Sequence, residues 1–427
     1  MKVTIVGVGK MGLPLACHMA SRGLVVWAAD CREMVVDAIN QGVSHVDEPG
    51  VAELLATTVQ QGKLKATTDT TAAVRDSDVV VIIVPAMLTD DCHADLAALE
   101  SVTRDVASAI HPGLLISYET TVPVGTTRNR FLPLLEMSGA KAGRDFHLAY
   151  SPERLKSNMV LARISVNPKV VGGVNDASSY RAEVFYRQAL GAPVINVQTL
   201  ENAEMVKLAG MIYRDVNIAL ANELARYAEA ASIDLPALIG AVNTDGEANM
   251  LVPGIGVGGH CAPIYPYFVI QHAHDLKLSV ILAEQARHIN DSQASHVVAR
   301  LEAAIGSLAG LEILILGLAF RPQVKEHFYS TSFLLRDELA RREALVMIHD
   351  PLYSPEELRA HGFEPGCHDG ERAPAVIVLN TAHKEYISLD FAFLARGGLR
   401  AVIDGRNLWD PAEIRGHGLL YFGIGRP

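Results

Sequence analysis

Gly7-Val-Gly9-Lys-Met-Gly12 restricts the folds open to this chain more than any other stretch. The β-branched run before it, 2–7, reads as a strand, and 11–22 after it has helical spacing with Gly23 as its stop. Glycines at this spacing between a strand and a helix have separate reasons to be there. Gly7 permits the tight turn, Gly9 lets a pyrophosphate approach the backbone, and Gly12 lets the helix pack closely on the strand. The helix N-terminus then supplies N–H donors and the positive end of a dipole. A second strand, 24–29, ends at Asp30, an acid about twenty residues on that would accept from both hydroxyls of a ribose. Gly7, Val8, Gly9, Lys10, Met11, Gly12 and Asp30 are therefore the expected cofactor-binding residues, with NAD as the cofactor. Arg32, beside that acid, would tolerate the 2′-phosphate of NADP. A glycine turn without a ligand is the plainer alternative.

Strand-like runs recur at 78–84 and 114–118, separated by helical patterns, which implies βαβ units in a doubly wound sheet. From 201 to about 300 the pattern turns helical. Residues 201–231 contain no proline and only Gly210 as a breaker, long for a globular helix. Such a helix serves as a spine between domains or as a dimer surface; a bridging element with no partner chain is the other reading. After Gly310 the alternation returns, with strands at 311–316, 345–349, 375–379 and 399–403. The expected fold class is α/β, with two Rossmann-like doubly wound parallel-sheet domains joined by a long central helix and a helical dimerisation domain. The boundaries fall at 1–198, 199–304 and 305–427.

Composition narrows the function. At 427 residues the chain is long enough for more than one domain. Its 37 Lys+Arg against 48 Asp+Glu leave a formal charge of −11, which argues against nucleic acid as the main partner. Its apolar runs 79–86 and 313–318 are too short to span a bilayer, and Met1 runs into a strand rather than a leader. Five cysteines in so long a chain do not make a disulfide scaffold. The expectation is a cytoplasmic protein with reduced thiols and no membrane partner.

The stretch 253–267 places Gly254, Gly256, Gly258 and Gly259 just ahead of His260 and Cys261. So many glycines mark a backbone that turns sharply or meets a ligand closely. A cysteine ending such a loop is a candidate nucleophile, provided a depressed pKa or a nearby base supplies its thiolate. By residue type alone an inert buried thiol is the commoner case. No spaced set of His and Cys accompanies His260, so no metal is expected.

With those motifs stand Val84-Pro85, Glu119-Thr-Thr-Val-Pro-Val-Gly-Thr-Thr127, Ser151-Pro-Glu-Arg-Leu155, Asn167-Pro-Lys-Val-Val-Gly-Gly173 and Glu204-Met-Val-Lys207. Tyr213-Arg-Asp-Val-Asn-Ile-Ala-Leu-Ala-Asn-Glu223, Gly317-Leu-Ala-Phe-Arg321 and Val402-Ile-Asp-Gly-Arg406 follow. In this order, over almost the whole chain, they resemble the nucleotide-sugar 6-dehydrogenases, the UDP-glucose/GDP-mannose dehydrogenase family. The 213–223 stretch and Gly-Gly-His-Cys look most like its UDP-N-acetylhexosamine branch. The resemblance implies oxidation of a UDP-sugar C6 alcohol to the uronic acid with NAD, through a thiohemiacetal and a thioester on Cys261. It implies that Lys207 stabilises oxyanion character, that Glu153 acts as a base through water, and that Thr121 lies near the nicotinamide. Val84 and Pro85 join the cofactor set; Glu153, Arg154, Leu155, Lys207, Gly258 and Arg321 form the substrate set. A homodimer through the central helix is implied too. From the residues alone the plainer readings prevail: Lys207 a solvated helix charge, Glu153 a helix-cap partner and Arg321 a surface ion pair.

The sequence departs from the family at several site positions. Tyr265 stands where the family has Asp, Met211 where it has an oxyanion-binding Asn, Glu247 near a usual Arg, and Phe328 at another Arg. Methionine donates no hydrogen bond, and Glu for Arg reverses a charge. These changes suit oxidation of a different nucleotide or nucleoside alcohol in a specialised pathway. A catalytically silent nucleotide-sugar binder is the reading from another class.

Overall fold

The computed structural model describes residues 1–370 and 372–427, in two compact units. The first unit comprises Met1–Gly210 and Tyr267–Leu278. Its sheet has eight strands: β1 (Lys2–Val6), β2 (Val25–Ala29), β3 (Leu64–Thr67), β4 (Val79–Ile82), β5 (Leu115–Tyr118), β6 (His147–Tyr150), β7 (Lys169–Gly173) and β8 (Val194–Thr199). Their order is β8-β7-β6-β5-β4-β1-β2-β3. Strand order reverses between β1 and β4, which opens a crevice at their carboxyl ends. Val3, Ile5, Val79, Val81 and Leu115 are fully buried in one apolar cluster, as runs covered on both faces require.

Helix α1 (Gly12–Ser21) follows β1 directly. Its close packing has a clear cause: a Cβ on Gly12 would lie 1.9 Å from the Gly7 carbonyl oxygen. The Leu24 N–H bonds the Met19 carbonyl and that of Gly23 the Ala20 carbonyl, which ends the helix at the expected glycine. The sheet is parallel except between β6 and β7, where Ala149 faces Gly173 and Tyr150 faces Gly172 in antiparallel register. The link between these strands holds only the short helix Val160–Arg163. A right-handed parallel crossover needs a covering helix, so the chain comes back antiparallel. Helix α2 (Asp176–Leu190), capped by Asn175, then packs on β7 and β8.

Helix α3 (Leu200–Ala230) has 31 residues, about 46 Å at 1.5 Å per residue. It matches the long helix expected from the sequence. Residues up to Gly210 belong to the first unit and those from Met211 to the second.

The second unit comprises Met211–Pro266 and Ser279–Pro427. Beyond α4 (Tyr265–Asp275) come α5 (Ile281–Asp291) and α6 (Gln293–Ile305). The sheet strands are β9 (Glu312–Leu316), β10 (Leu345–His349), β11 (Glu364–Pro365), β12 (Val376–Leu379), β13 (Ala401–Asp404) and β14 (Leu420–Gly423). They run parallel in the order β11-β10-β9-β12-β13-β14. Ile313, Ile315, Val376, Val378 and Ile403 share one buried cluster with Val297, Val298 and Leu301 of α6 and with Ala221 and Ala225 of α3.

Every strand expected from the sequence forms, within two residues of its expected ends. Strands β3, β6, β7, β8, β11 and β14 were not foreseen. Several are short or polar-alternating, as in Leu-Lys-Ala-Thr of β3, and carry little periodic signal. Among the described residues no helix is long and apolar enough to cross a membrane, and no cluster of three or more His, Cys, Asp or Glu could hold a metal ion.

Candidate active-site residues

In the first unit the glycine turn sits at the switch point. Gly7 has φ +91°, a conformation that favours glycine, and a side chain there would press on Val84 at 3.1 Å. A Cβ on Gly9 would meet nothing within 4 Å, so the space before it is open. Among the described residues no side chain caps α1 at Met11, and the Leu13 N–H bonds the Gly9 carbonyl. Lys10 and Pro85 are exposed at the rim.

Asp30 is buried at the end of β2. Its Oδ2 accepts from the Val8 N–H at 3.2 Å, and its Oδ1 from the Arg32 N–H at 3.1 Å and Arg32 Nε at 3.0 Å. Burial opposes ionisation of Asp30, but the Arg32 bonds and charge prevail and hold it below the usual carboxylate value. His45, which carried no sequence signal, places Nε2 2.9 Å from the Val8 carbonyl; burial lowers its pKa. Thr121 lies in the loop after β5. Its Oγ1 is buried and, among the described residues, has no hydrogen-bond partner, the state of a polar atom kept for a ligand. Open space at Gly9, an acid at the second strand end and this orphaned hydroxyl all fit NAD.

A second cluster in this unit is charged and buried. Lys169 Nζ lies 2.7 Å from Glu119 Oε2 and 3.4 Å from Glu153 Oε2. The Leu155 N–H donates to Glu153 Oε1 at 2.5 Å, in a loop rather than at a helix end, so Glu153 caps no helix. Burial works against the Glu153 charge, yet Lys169, the Leu155 N–H and Lys207 hold its carboxyl below the usual range. Burial dominates at Glu119 and pushes it up. Lys207, partly buried on α3, thus acts on Glu153 and is more than a solvated charge. Arg154 is exposed and donates to the Pro168 carbonyl. Sequence reading placed Lys169 in a landmark motif but gave it no role, because only burial shows that its charge must be matched.

One turn before Lys207, Glu204 accepts from the Gly125 N–H at 2.5 Å and the Thr127 N–H at 2.9 Å. It ties α3 to the loop that carries Thr121.

In the second unit the cysteine loop and the residues before it are fastened by side-chain bonds from Asn217, Asn222, Gln293 and Arg287. Asn217 Oδ1 accepts from the Leu251 N–H at 3.0 Å, and Asn222 Oδ1 from the Gly254 N–H at 2.9 Å. Gln293 Nε2 donates to the Gly254 carbonyl at 3.1 Å, and Arg287 Nη1 to that of Ala262 at 3.1 Å. The glycines answer to packing by the chain itself. A Cβ on Gly256 would lie 2.6 Å from Thr331, and one on Gly258 2.8 Å from Phe320 and 2.9 Å from the Tyr329 carbonyl. Gly259, at φ +99°, donates to the Phe328 carbonyl at 2.8 Å.

Cys261 is partly buried, and its carbonyl accepts from the Tyr265 N–H at 2.9 Å, in the turn that begins α4. The His260 and Phe328 rings lie 4.0 Å apart. Arg321 is partly buried, with its guanidinium 5.7 Å from the Phe320 ring centre. Glu247 is exposed on a loop closed by mutual bonds between Asn243 and Met250.

Comparison with known proteins covers both units. Residues 1–190 match the NAD binding domain of the UDP-glucose/GDP-mannose dehydrogenase family, 201–292 its central domain and 314–411 its UDP binding domain. A UDP-N-acetyl-D-mannosamine dehydrogenase of Pyrococcus horikoshii is 32% identical across 100% of this chain and 99% of its own. An NDP-N-acetyl-D-galactosaminuronic acid dehydrogenase of Ralstonia nicotianae is 30% identical across 96% and 97%. The solved structure of the P. horikoshii UDP-D-ManNAc dehydrogenase superposes with a TM-score of 0.90 at 31% identity, covering 100% of this chain and 99% of that one.

Proposed function

The chain belongs to the UDP-glucose/GDP-mannose dehydrogenase family of NAD-dependent nucleotide-sugar dehydrogenases, and from this we propose that it oxidises the C6 alcohol of a UDP-N-acetylhexosamine to the uronic acid. The observation that carries the reading is likeness through both units in chain order, so that one polypeptide holds the glycine turn, the buried Glu153 and the cysteine loop. We read 1–198 as the NAD-binding domain, 199–304 as the central domain and dimer surface, and 305–427 as the domain for the UDP moiety.

Gly7, Val8, Gly9, Lys10, Met11 and Gly12 would hold the pyrophosphate of NAD, Asp30 its ribose and Thr121 its nicotinamide, with Val84 and Pro85 also against the cofactor. NAD when bound would supply the hydride acceptor for both oxidations. Glu153, an ionised carboxylate, takes the alcohol proton through water, and the Lys207 ammonium stabilises negative charge developing on the C6 oxygen. The Cys261 thiolate then adds to the aldehyde carbon and forms a thiohemiacetal. Loss of its hydride leaves a thioester. Glu153, having passed that first proton to solvent, next activates the water that cleaves it, which releases the acid and regenerates the thiolate. Arg154, Leu155, Gly258 and Arg321 hold the sugar nucleotide. One alcohol, two NAD and one water give one acid, two NADH and two protons.

Phe328, which stands at a usual Arg position and packs against the His260 ring, favours a second reading, in which a different nucleotide alcohol is the substrate. The test is the NADH yield per substrate from purified protein with NAD and UDP-glucose, UDP-galactose and their N-acetylamino forms. Two NADH on an N-acetylamino sugar is the expected result. One NADH per substrate removes acid formation; none on any sugar, with NAD still bound, favours the second reading.

A further inference from the structure

We propose that Lys169 is the positioning residue for Glu153: its ammonium, shared with Glu119, holds the Glu153 carboxylate charged and in place. This rests on the reading of Glu153 as a base given above.

The antiparallel strand places the cation. β7 opposes β6, with Tyr150 facing Gly172. The start of β7 therefore lies beyond the carboxyl end of β6, on the side of the sheet where Glu119 follows β5 and Glu153 follows β6. A parallel β7 would put Lys169 at the opposite edge. The one break in the parallel pattern thus delivers a cation to the edge where the candidate base sits.

The cation is fully committed. Lys169 is 7% exposed, Glu119 0% and Glu153 9%, so each charge requires a partner. Lys169 lies 2.7 Å from Glu119 and 3.4 Å from Glu153, and its Nζ is 5.1 Å from the Tyr186 ring centre. Tyr186 on α2 donates to Glu119 Oε1 at 2.8 Å. The groups facing Glu153 are Lys169 from β7, Glu119 from the end of β5 and Lys207 from α3, with Tyr186 behind Glu119. Two carboxylates thus compete for one buried ammonium, and the environment pushes their proton affinities apart: Glu153 down, Glu119 up.

A base works only while ionised, so activity falls as pH drops through its pKa. Removing Lys169 raises that pKa; Glu119, pushed up by burial, already holds its proton where Glu153 titrates. The experiment measures kcat/KM against pH with NAD and UDP-N-acetyl-D-mannosamine. In parallel, carboxyl-13C NMR of glutamate-labelled protein follows Glu153 itself, assigned as the resonance absent in Glu153→Gln.

Lys169→Met is expected to move the acid limb and the Glu153 titration up by about one pH unit or more. Lys169→Arg should return both, and Glu119→Gln should leave both in place. A packing role alone would lower kcat and move neither. Unmoved titrations in Lys169→Met overturn the proposal. If Lys169→Met does not fold, Lys169→Gln decides it by the same shift. If the protein does not turn over this sugar, the NMR titration decides it. Full turnover by Glu153→Gln would instead sink the reading of Glu153 as a base, while a shifted titration in Lys169→Met would leave the electrostatic link standing.

Discussion

Arg287 Nη1 lies 2.8 Å from Asp215 Oδ1 and donates as well to the carbonyl of Ala262, the residue after Cys261. Both side chains are almost fully buried. Asn290 Nδ2 adds a bond to Asp215 Oδ1 at 2.8 Å. The pair joins α3, α5 and the cysteine loop within one unit. Replacing Arg287 by Met strands a buried carboxylate, which costs about 3–5 kcal/mol. The check is urea unfolding of Arg287→Met beside the double variant with Asp215→Asn, which should recover part of the loss.

Glu204 makes stability depend on pH. Burial pushes its carboxyl up to about 7 against the bonds from Thr127 and Gly125. A raised carboxyl pKa means the folded state holds the proton more tightly than the unfolded chain. The stabilisation is complete below the ordinary value near 4.5 and is lost as pH rises through about 7. Over that window Glu204 should contribute on the order of 3 kcal/mol of falling stability. Unfolding free energies at pH 5 and pH 8 should lie closer together in Glu204→Gln than in the parent.

Asp30 and Arg32 predict cofactor behaviour. If Asp30 holds the ribose as proposed, Asp30→Ala removes a charged acceptor; a lost hydrogen bond to a charged group costs about 1.5–3 kcal/mol, so NAD should bind about ten- to a hundredfold more weakly. Arg32→Ala should weaken NADP more than NAD, since Arg32 stands beside Asp30, the proposed ribose acceptor. Calorimetric titration with each nucleotide measures both.

Cys261→Ser should stop the reaction after one oxidation and give one NADH per substrate with an aldehyde product. An acid yield equal to that of the parent would remove the covalent role of the thiol.

Two glycines should respond oppositely to alanine. At Gly258 the new Cβ would press on Phe320 and the Tyr329 backbone, and such overpacking costs about 1–3 kcal/mol. At Gly210, exposed within α3, the Cβ would meet nothing within 4 Å, and Gly→Ala there should stabilise by about 0.4–1 kcal/mol. Melting temperatures of the two variants should move in opposite directions.

The amino-acid sequence by itself determined the alternation of strand and helix, the glycine turn with Asp30 at the next strand end, and the long helix from Leu200. These are local: each depends on the period, propensity and steric freedom of neighbouring residues. It also marked Glu153, Lys207 and Cys261 by motif. Only the tertiary structure decided that β7 runs antiparallel, because that follows from what covers the link before it and not from its own apolar run. That reversal sets Lys169 beside Glu119 and Glu153. Burial then makes their charges depend on one another, and no linear pattern records burial. The same holds for the glycines at 256, 258 and 259: the sequence shows that space is needed, and the fold shows that Thr331, Phe320 and Tyr329 are what fill it.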